Sequence, residues 1–350
     1  MTLFRTRPGR GIRRSLGAFT AAGVLVSVLV GCGSGSDSDG DSAESGMTTV
    51  KYGLTSKSIS SLPTIIAESQ GFFADEGITL EEVVTGQSGK VCQQLIANAL
   101  DMGECSTNDV VRTVAAGGPI KVRFFTSASV LPNKVYAKPG ISQWSDLAGK
   151  NVMVASQQDN TFYFTTLMAK EGGLNFPDDV TVTYAGSSTD RFAALSAGTV
   201  DATILTTPYD FMAEKAGYVE LDDLVDHLPA DKYFGNGVAT TDSYASEHPD
   251  VIAHVYAAEQ KAIEYMLDPA NKADVIATLK DVGKFDAAIA DELAEYVYGR
   301  LVTSGYYYVG GEPDDAGIEG VVDSLVALGF IQQDQIKPAD VYDTSGLPGS

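Results

Sequence analysis

The sequence is poor in the side chains that do covalent and metal chemistry. It holds three histidines, three cysteines and one tryptophan in 350 residues. No GxSxG nucleophile elbow, HExxH pair or dinucleotide-binding glycine run occurs. His248 and His254 flank or enter a predicted helix and His227 sits in an acidic loop, which points to structural or solvated roles. The expectation is a protein that is not an enzyme and holds no cofactor or metal. Positive charge is scarce as well: 24 Lys and Arg face 46 Asp and Glu, for a formal charge of −22. Such a surface repels nucleic acid and anionic lipid headgroups. Long apolar runs are lacking too, with one exception near the start.

That exception is residues 16–30, which are almost wholly apolar. Arg5, Arg7, Arg10, Arg13 and Arg14 precede them, with no acid. The run suits a signal-peptide core and falls short of the ~20 residues of a membrane span. It ends in "LVGC", which resembles the lipobox of bacterial lipoproteins. That resemblance implies a signal peptide of residues 1–31 and lipidation of Cys32, the first residue of the exported chain. The alternative is an ordinary signal peptide with a cysteine at that place. Arg13-Arg14 before Ser15-Leu16 resembles a twin-arginine export signal; Gly17 departs from it, so Sec export stays open. Residues 32–48 are rich in Gly, Ser and Asp and have nothing to bury, so they read as a disordered tether. Asp37, Asp39 and Asp41 have calcium-loop spacing, but Thr48 stands where the bidentate Glu belongs. The expected place is the outer face of the bacterial cell membrane, held through the N-terminal lipid only, as a monomer.

The remaining chain is long enough for two lobes. Cys92 and Cys105 are its only cysteines, and in an exported protein such a pair reads more readily as a disulfide than as reactive thiols.

The chain repeats itself at an offset of one hundred. Leu95, Ala97, Leu100 and Asp101 align with Leu195, Ala197, Val200 and Asp201. Thr85-Gly86-Gln87-Ser88 aligns with Ala185-Gly186-Ser187-Ser188, and "YGLTSK" from Tyr52 with "VMVASQ" from Val152. Matches in register over this length mark two similarly built halves. Each half reads as strand, helix, strand, Gly/Ser turn, helix, strand. The strands fall near 50–54, 79–84 and 101–105, and again near 151–155, 180–184 and 201–205; 121–127 adds another to the first half. Alternating strands and helices imply an α/β protein with a mainly parallel sheet in each lobe.

In such sheets ligands bind at the carboxyl ends of the strands. Six loops fall there. The first half offers Ser56, Lys57 and Ser58, then Gly86, Gln87 and Ser88, then Ser106, Thr107 and Asn108. The second offers Gln158, Asp159, Asn160, Thr161 and Phe162, then Ser187 and Ser188, then Thr206, Thr207 and Tyr209. Small polar residues at helix starts expose backbone N–H groups to ligand acceptors. Each loop alone reads equally well as helix capping; six on facing lobes favour a cleft. In the fourth of these loops, within "VASQQDNTFYFTTL", Asn160 or Thr161 is expected to cap the helix, Phe162 to reach the ligand, and at least one of Tyr163 and Phe164 to be core.

Residues 133–140 and 232–241 read as the two crossings of a hinge. The first lobe is then 49–135 with 237–350, and the second 136–236. The last hundred residues read as mainly helical, near 249–266, 272–281, 287–303 and 316–328, and pack on the first lobe. Tyr306 to Tyr308 read as packing there rather than as a rim of the site.

Three stretches, "SLPTIIAESQGFFADEGITLEEV", "DLAGKNVMVAS" and "AALSAGTVDATILTTPYD", resemble the solute-binding proteins of ABC importers. The branch is the one holding sulfonate, taurine, nitrate and thiamine-precursor binders. The resemblance runs from about 49 to 329. It implies the two-lobed periplasmic-binding-protein (type 2) fold, closure on a small molecule, delivery to ABC permease subunits and no chemistry on the ligand. Sulfonate and taurine binders tend to carry Trp-Asp before the Pro-Tyr of the third-strand loop; Thr206 and Thr207 stand there in this chain, which argues against a sulfonate. The cysteine-rich motif of the related thiamine-pyrimidine synthases is missing, against an enzyme on the same scaffold. A surface lipoprotein with a non-transport binding role is the third reading.

Bases near the loops are few: Lys57, and Lys90 and Arg191 at helix starts, where a solvated face is the plainer role. Asp159 and Asp210 are acids in the opposing loops. Phe162 and Tyr209 could stack on a planar ring. The expected ligand is a small polar organic solute, aromatic or heterocyclic in one version, held by hydroxyls and amides.

Overall fold

A computed structural model describes residues 46–56, 61–129, 132–157, 159–227, 234–313 and 315–347. The expected signal peptide, Cys32 and most of the tether lie outside these residues.

Among the described residues ten strands form two sheets of five. The strands are β1 Thr48–Leu54, β2 Ile78–Val84, β3 Met102–Ser106, β4 Ile120–Phe125, β5 Asn133–Ala137, β6 Asn151–Val154, β7 Thr181–Tyr184, β8 Ala202–Thr206, β9 Val219–Asp223 and β10 Asn236–Thr241. The first sheet runs β2-β1-β3-β10-β4 and the second β7-β6-β8-β5-β9. Strands β2, β1, β3 and β4 take the places of β7, β6, β8 and β9 at an offset near one hundred, and the crossing strands β10 and β5 fill the equivalent slot in each sheet. Register repeats too: Tyr52 and Gly53 oppose Met102 and Gly103, while Val152 and Met153 oppose Ala202 and Thr203. Asp101 Oδ2 accepts from Lys51 N at 2.8 Å, and Asp201 Oδ2 from Asn151 N at 3.0 Å. The aspartate at each third strand's start thus fixes the neighbouring strand by an added bond, the reason both halves keep it.

The sheets are mixed rather than purely parallel. Strands β1, β2 and β3 pair in parallel, as do β6, β7 and β8. The two crossings are strands and not plain linkers. Strand β5 enters the second sheet antiparallel between β8 and β9, and β10 enters the first antiparallel between β3 and β4. "NKVYA" and "NGVATT" carry the β-branched and aromatic residues that suit a buried strand.

Helix Ser88–Ile96 lies hard against the first sheet because two of its strand residues are glycine. A Cβ on Gly53 would stand 2.8 Å from Val91 Cγ1, and one on Gly103 2.6 Å from it. This approach brings the helix start to the end of β3. The other face of the sheet buries Val50, Tyr52 and Leu54 against helices Leu62–Ser69 and Pro249–Leu267. Each such large apolar side chain contributes roughly 1.5–3 kcal/mol. The C-terminal helices continue as Lys272–Gly283, Ala290–Val297, a π-helical turn Tyr298–Val302 and Asp315–Ala327. Tyr306 and Tyr307 are buried in the first-lobe core, and Tyr307 bridges Ser127.

Cys92 and Cys105 do meet, at the contact of helix Ser88–Ile96 with β3. They stand as two buried thiols with Sγ atoms 3.2 Å apart, not as the bond expected from the sequence. The His227 ring nitrogens lie 2.7 Å from Glu171 Oε2 and 2.6 Å from Asp222 Oδ1, in the short turn that follows β9. No helix among the described residues is long and apolar enough to cross a membrane.

Candidate ligand-binding cleft

The carboxyl ends of the two sheets face one cavity of about 560 Å³. Both halves contribute corresponding residues to it: Thr55 and Ala155, Ser56, Gly86 and Gly186, Ser88 and Ser188, Ser106 and Thr206. The serines at 88 and 188 open equivalent helices, Ser88–Ile96 and Ser188–Ser196. Ser88 Oγ accepts from Ser106 N at 2.8 Å; Ser188 Oγ and Thr206 Oγ1 are 3.0 Å apart. Each helix start is therefore tied to the end of the third strand of its own lobe. The facing loops meet: a Cβ on Gly186 would lie 3.7 Å from Gln87 Nε2.

Of the residues singled out from the sequence, Ser56, Gly86, Ser88, Ser106, Asp159, Asn160, Thr161, Ser187, Ser188, Thr206, Thr207 and Tyr209 line the cavity. Lys57, Ser58 and Gln158 lie outside the described residues. Gln87 is half-buried at the rim of the facing loops. Thr107 and Asn108 are buried and do not line it. The helix begins at Thr107, so its first turn tucks beneath Ser106, the last residue to reach the cleft.

The loop at 155–164 departs from expectation in two ways. Asp159, not Asn160 or Thr161, is the N-cap: its Oδ1 accepts from Thr161 N at 2.9 Å and from Thr161 Oγ1 at 2.8 Å. Thr161 Oγ1 in turn accepts from Ala155 N at 2.9 Å, which closes the loop on itself. Phe162 does not reach the cavity. It is buried against Phe176 and Phe330, with ring centroids 5.2 and 6.3 Å away. Phe164 lines the cavity instead. Helix Asn160–Glu171 turns 100° per residue, so Asn160 and Phe164, four apart, share the cleft face while Phe162 points away.

Several lining residues lay beyond the loop argument. Asn133 and Asn236 open the two crossing strands, and Val282, Gly283 and Phe285 arrive from the C-terminal helices. Arg191 is buried, not solvated. It donates to Ile204 O at 2.9 Å, Gly186 O at 3.1 Å, Ala185 O at 3.3 Å and Ser188 Oγ at 2.8 Å. Burial lowers its pKa to about 10. Its task is to hold the second-lobe loop. Glu104 was missed as well, although an acid inside a strand whose counterpart carries Ile204 was a legible signal.

Acids surround the site. Asp109 lies behind Ser88; burial, and next the charge of Asp159 on the other lobe, push its carboxyl up to about 7. Arg112 sits 3.3 Å from Asp109. Glu104 opens one edge on the cavity and is otherwise enclosed, and that burial pushes it up to about 7. Among the described residues no group of three or more His, Cys, Asp or Glu is placed to hold a metal ion.

The family model described as "NMT1/THI5 like" matches residues 58–273, more than half the chain. This chain belongs to the NMT1/THI5-like family. The family's two-lobed architecture is seen in solved structures similar to it. A protein from Bordetella bronchiseptica RB50 matches with a TM-score of 0.72 at 17% identity, covering 85% of this chain and 95% of its own. The alkanesulfonate-binding protein SsuA from Xanthomonas axonopodis pv. citri, bound to MOPS, gives 0.67 at 16%, covering 84% and 98%. The periplasmic nitrate-binding protein NrtA from Synechocystis PCC 6803 gives 0.68 at 12%, covering 86% and 87%. At such identities the likeness shows the shared periplasmic-binding-protein fold. Of these, SsuA and NrtA are an alkanesulfonate-binding and a nitrate-binding protein. A search of curated proteins finds no match.

Proposed function

We propose that this protein is an extracytoplasmic solute receptor, lipid-anchored through Cys32, that captures a small polar organic molecule between its lobes and hands it to ABC permease subunits. The observation that carries the reading is the pairing of equivalent loops, offset by one hundred residues, around one cavity. Two strand crossings, at β5 and β10, leave the lobes free to close about that cavity. We assign residues 49–135 with 237–350 to the first lobe and 136–236 to the second, and read the chain as a monomer. Ser56, Ser88, Ser106, Asp159, Asn160, Thr161, Ser187, Ser188, Thr206, Thr207 and Tyr209 form the polar wall, and Phe164 the aromatic one.

Thermal-shift and calorimetric titration against sulfonates, nitrate, pyrimidines, flavins, aromatic acids and amines tests the receptor reading. A bound solute at a hundred times its Kd stabilises by about 2.7 kcal/mol. No shift with any of these solutes, in protein shown to be folded, would count against a receptor. Labelling of the expressed protein with a radioactive fatty acid, lost on Cys32→Ala, tests the anchor.

A further inference from the structure

Beside the cleft a chain of hydrogen bonds runs from the first-lobe core to the cavity wall. Tyr52 OH lies 3.4 Å from Glu259 Oε1, which lies 2.6 Å from Thr64 Oγ1. Thr64 Oγ1 is 2.7 Å from Glu104 Oε1. Glu104 Oε2 is 2.6 Å from Ser61 Oγ, and Ser61 Oγ is 3.0 Å from Ser56 O.

Protons can be counted along this chain. It has five hydrogen bonds, and the hydroxyls of Tyr52, Thr64 and Ser61 supply three protons. The Ser56 carbonyl only accepts, so Ser61 spends its proton there. Glu104 Oε2 must then be the donor to Ser61. Thr64 has one proton for two carboxyls; it gives it to Glu104 and takes one from Glu259. Below about pH 7 both glutamates are therefore neutral acids in the unliganded protein, and every bond points from Tyr52 towards the cleft. Glu259 Oε2 has no partner, a position tolerable for an acid and costly for an ion. Burial pushes Glu259 up to about 8, in accord with the count.

The proton of Glu104 faces inward, so its cavity side presents lone pairs. The rest of the wall favours the same sign of partner. Asp159 is an acid in the facing lobe, and Arg191, the one base among the described lining residues, is spent on loop acceptors. The charged and titratable groups that bear on Glu104 are Glu82, Glu259, Tyr52, Cys105, Tyr306 and Tyr307, none of them a base.

Resting on the receptor reading, we propose that the ligand carries a cationic nitrogen with N–H donors, and that Glu104 pairs with it by releasing its proton. The released proton goes to solvent; the ammonium or guanidinium supplies the charge that lets the carboxylate persist. Glu104 is the group that discriminates cations from the neutral and anionic solutes of similar size.

The test is calorimetry with matched probes: benzylammonium and agmatine as cations, benzyl alcohol and urea as neutral counterparts, benzoate and nitrate as anions. The cations should bind at least tenfold tighter than the others at pH 7.5. Titration at pH 6 in two buffers of different ionisation enthalpy should show close to one proton released per cation. Affinity should rise about tenfold per pH unit up to near pH 7 and level above it. Glu104→Gln can donate to Ser61 and accept from Thr64, so it keeps the fold, checked by its melting curve. It should weaken cation binding at least tenfold and abolish proton release. Binding confined to neutral or anionic probes overturns the cation assignment and leaves the receptor reading standing. An unchanged Glu104→Gln variant, or no binding by either cation, overturns it as well; failure of the receptor reading itself would show as no shift with any solute of the wider series.

Discussion

Asp210 accepts a hydrogen bond from the Tyr296 hydroxyl at 3.0 Å, joining a second-lobe helix, Tyr209–Lys215, to the C-terminal helix Ala290–Val297. Around it the Phe211 and Tyr296 rings stand 4.9 Å apart, Lys215 meets Glu292, and Arg300 reaches Asp223 at 3.4 Å. Asp210 also accepts at 2.9 Å from Oγ1 of Thr207, a residue of the cavity wall. Tyr296→Phe removes one donor to a buried carboxyl and keeps the ring contact. We expect a loss of about 1–2 kcal/mol in stability, seen in urea unfolding. We also expect a larger radius of gyration by solution scattering if this contact holds the lobes together; an unchanged radius would show that it does not.

Phe162 and Phe164 separate packing from recognition. Phe162→Leu should cost about 1–3 kcal/mol of stability through lost ring contacts with Phe176 and Phe330. Its ligand affinity, measured well below the melting point, should stay within twofold. Phe164→Leu should weaken binding several-fold. Equal affinities in the two variants would place Phe164 outside the site.

Ser88 and Ser188 are equivalent in the repeat but not in energy. Ser88→Ala leaves the buried Ser106 N–H without its acceptor, at about 1–3 kcal/mol. Ser188 bonds to hydroxyl and guanidinium partners at a more open place, so Ser188→Ala should cost less than 1 kcal/mol. Thermal unfolding of the two variants decides the order.

Stability should fall as pH rises from about 5 to 8. Glu104, Glu259 and Asp109 have native pKa values raised to about 7, 8 and 7, so the folded chain holds more protons than the unfolded one in that window. Each group contributes a slope of at most about 1.4 kcal/mol per pH unit. His227 adds the same sign: partial burial opposes its cation, but bonds to Asp222 and Glu171 outweigh that and raise its pKa. Its contribution is full below about 6.5 and lost as pH passes the folded value. Glu259→Gln should match the parent at pH 5, exceed it at pH 8, and show a shallower slope. Parallel pH profiles for the two proteins would refute the neutral-acid assignment of Glu259.

Much of this molecule is legible in its sequence. The offset of one hundred rests on residues whose roles are local, such as Asp101 and Asp201 pinning a neighbouring strand, and Ser88 and Ser188 opening helices. Local chemistry leaves its mark at fixed spacing, so the repeat, the strand–helix alternation and most of the polar cleft wall could be read. The helical C-terminal region followed from apolar periodicity in the same way.

Three things only the tertiary structure decided. The antiparallel entry of β5 and β10 depends on which sheet each crossing joins, and pairing partners so far along the chain, Ala202 for Ala137 and Gly103 for Ala239, leave no local pattern. The exchange of Phe162 for Phe164 turned on where helix Asn160–Glu171 begins; a shift of its start by one residue rotates every side chain by 100°. Glu104 escaped the loop argument because it lies inside a strand, and its meaning came from Thr64 and Glu259, 40 and 155 residues away in the chain: the one Thr64 hydroxyl proton serves two carboxyls. The order of residues marked the elements and the repeat because burial and capping act locally along the chain. The charge state of the cleft was decided by contact, because a proton belongs to the groups that enclose it.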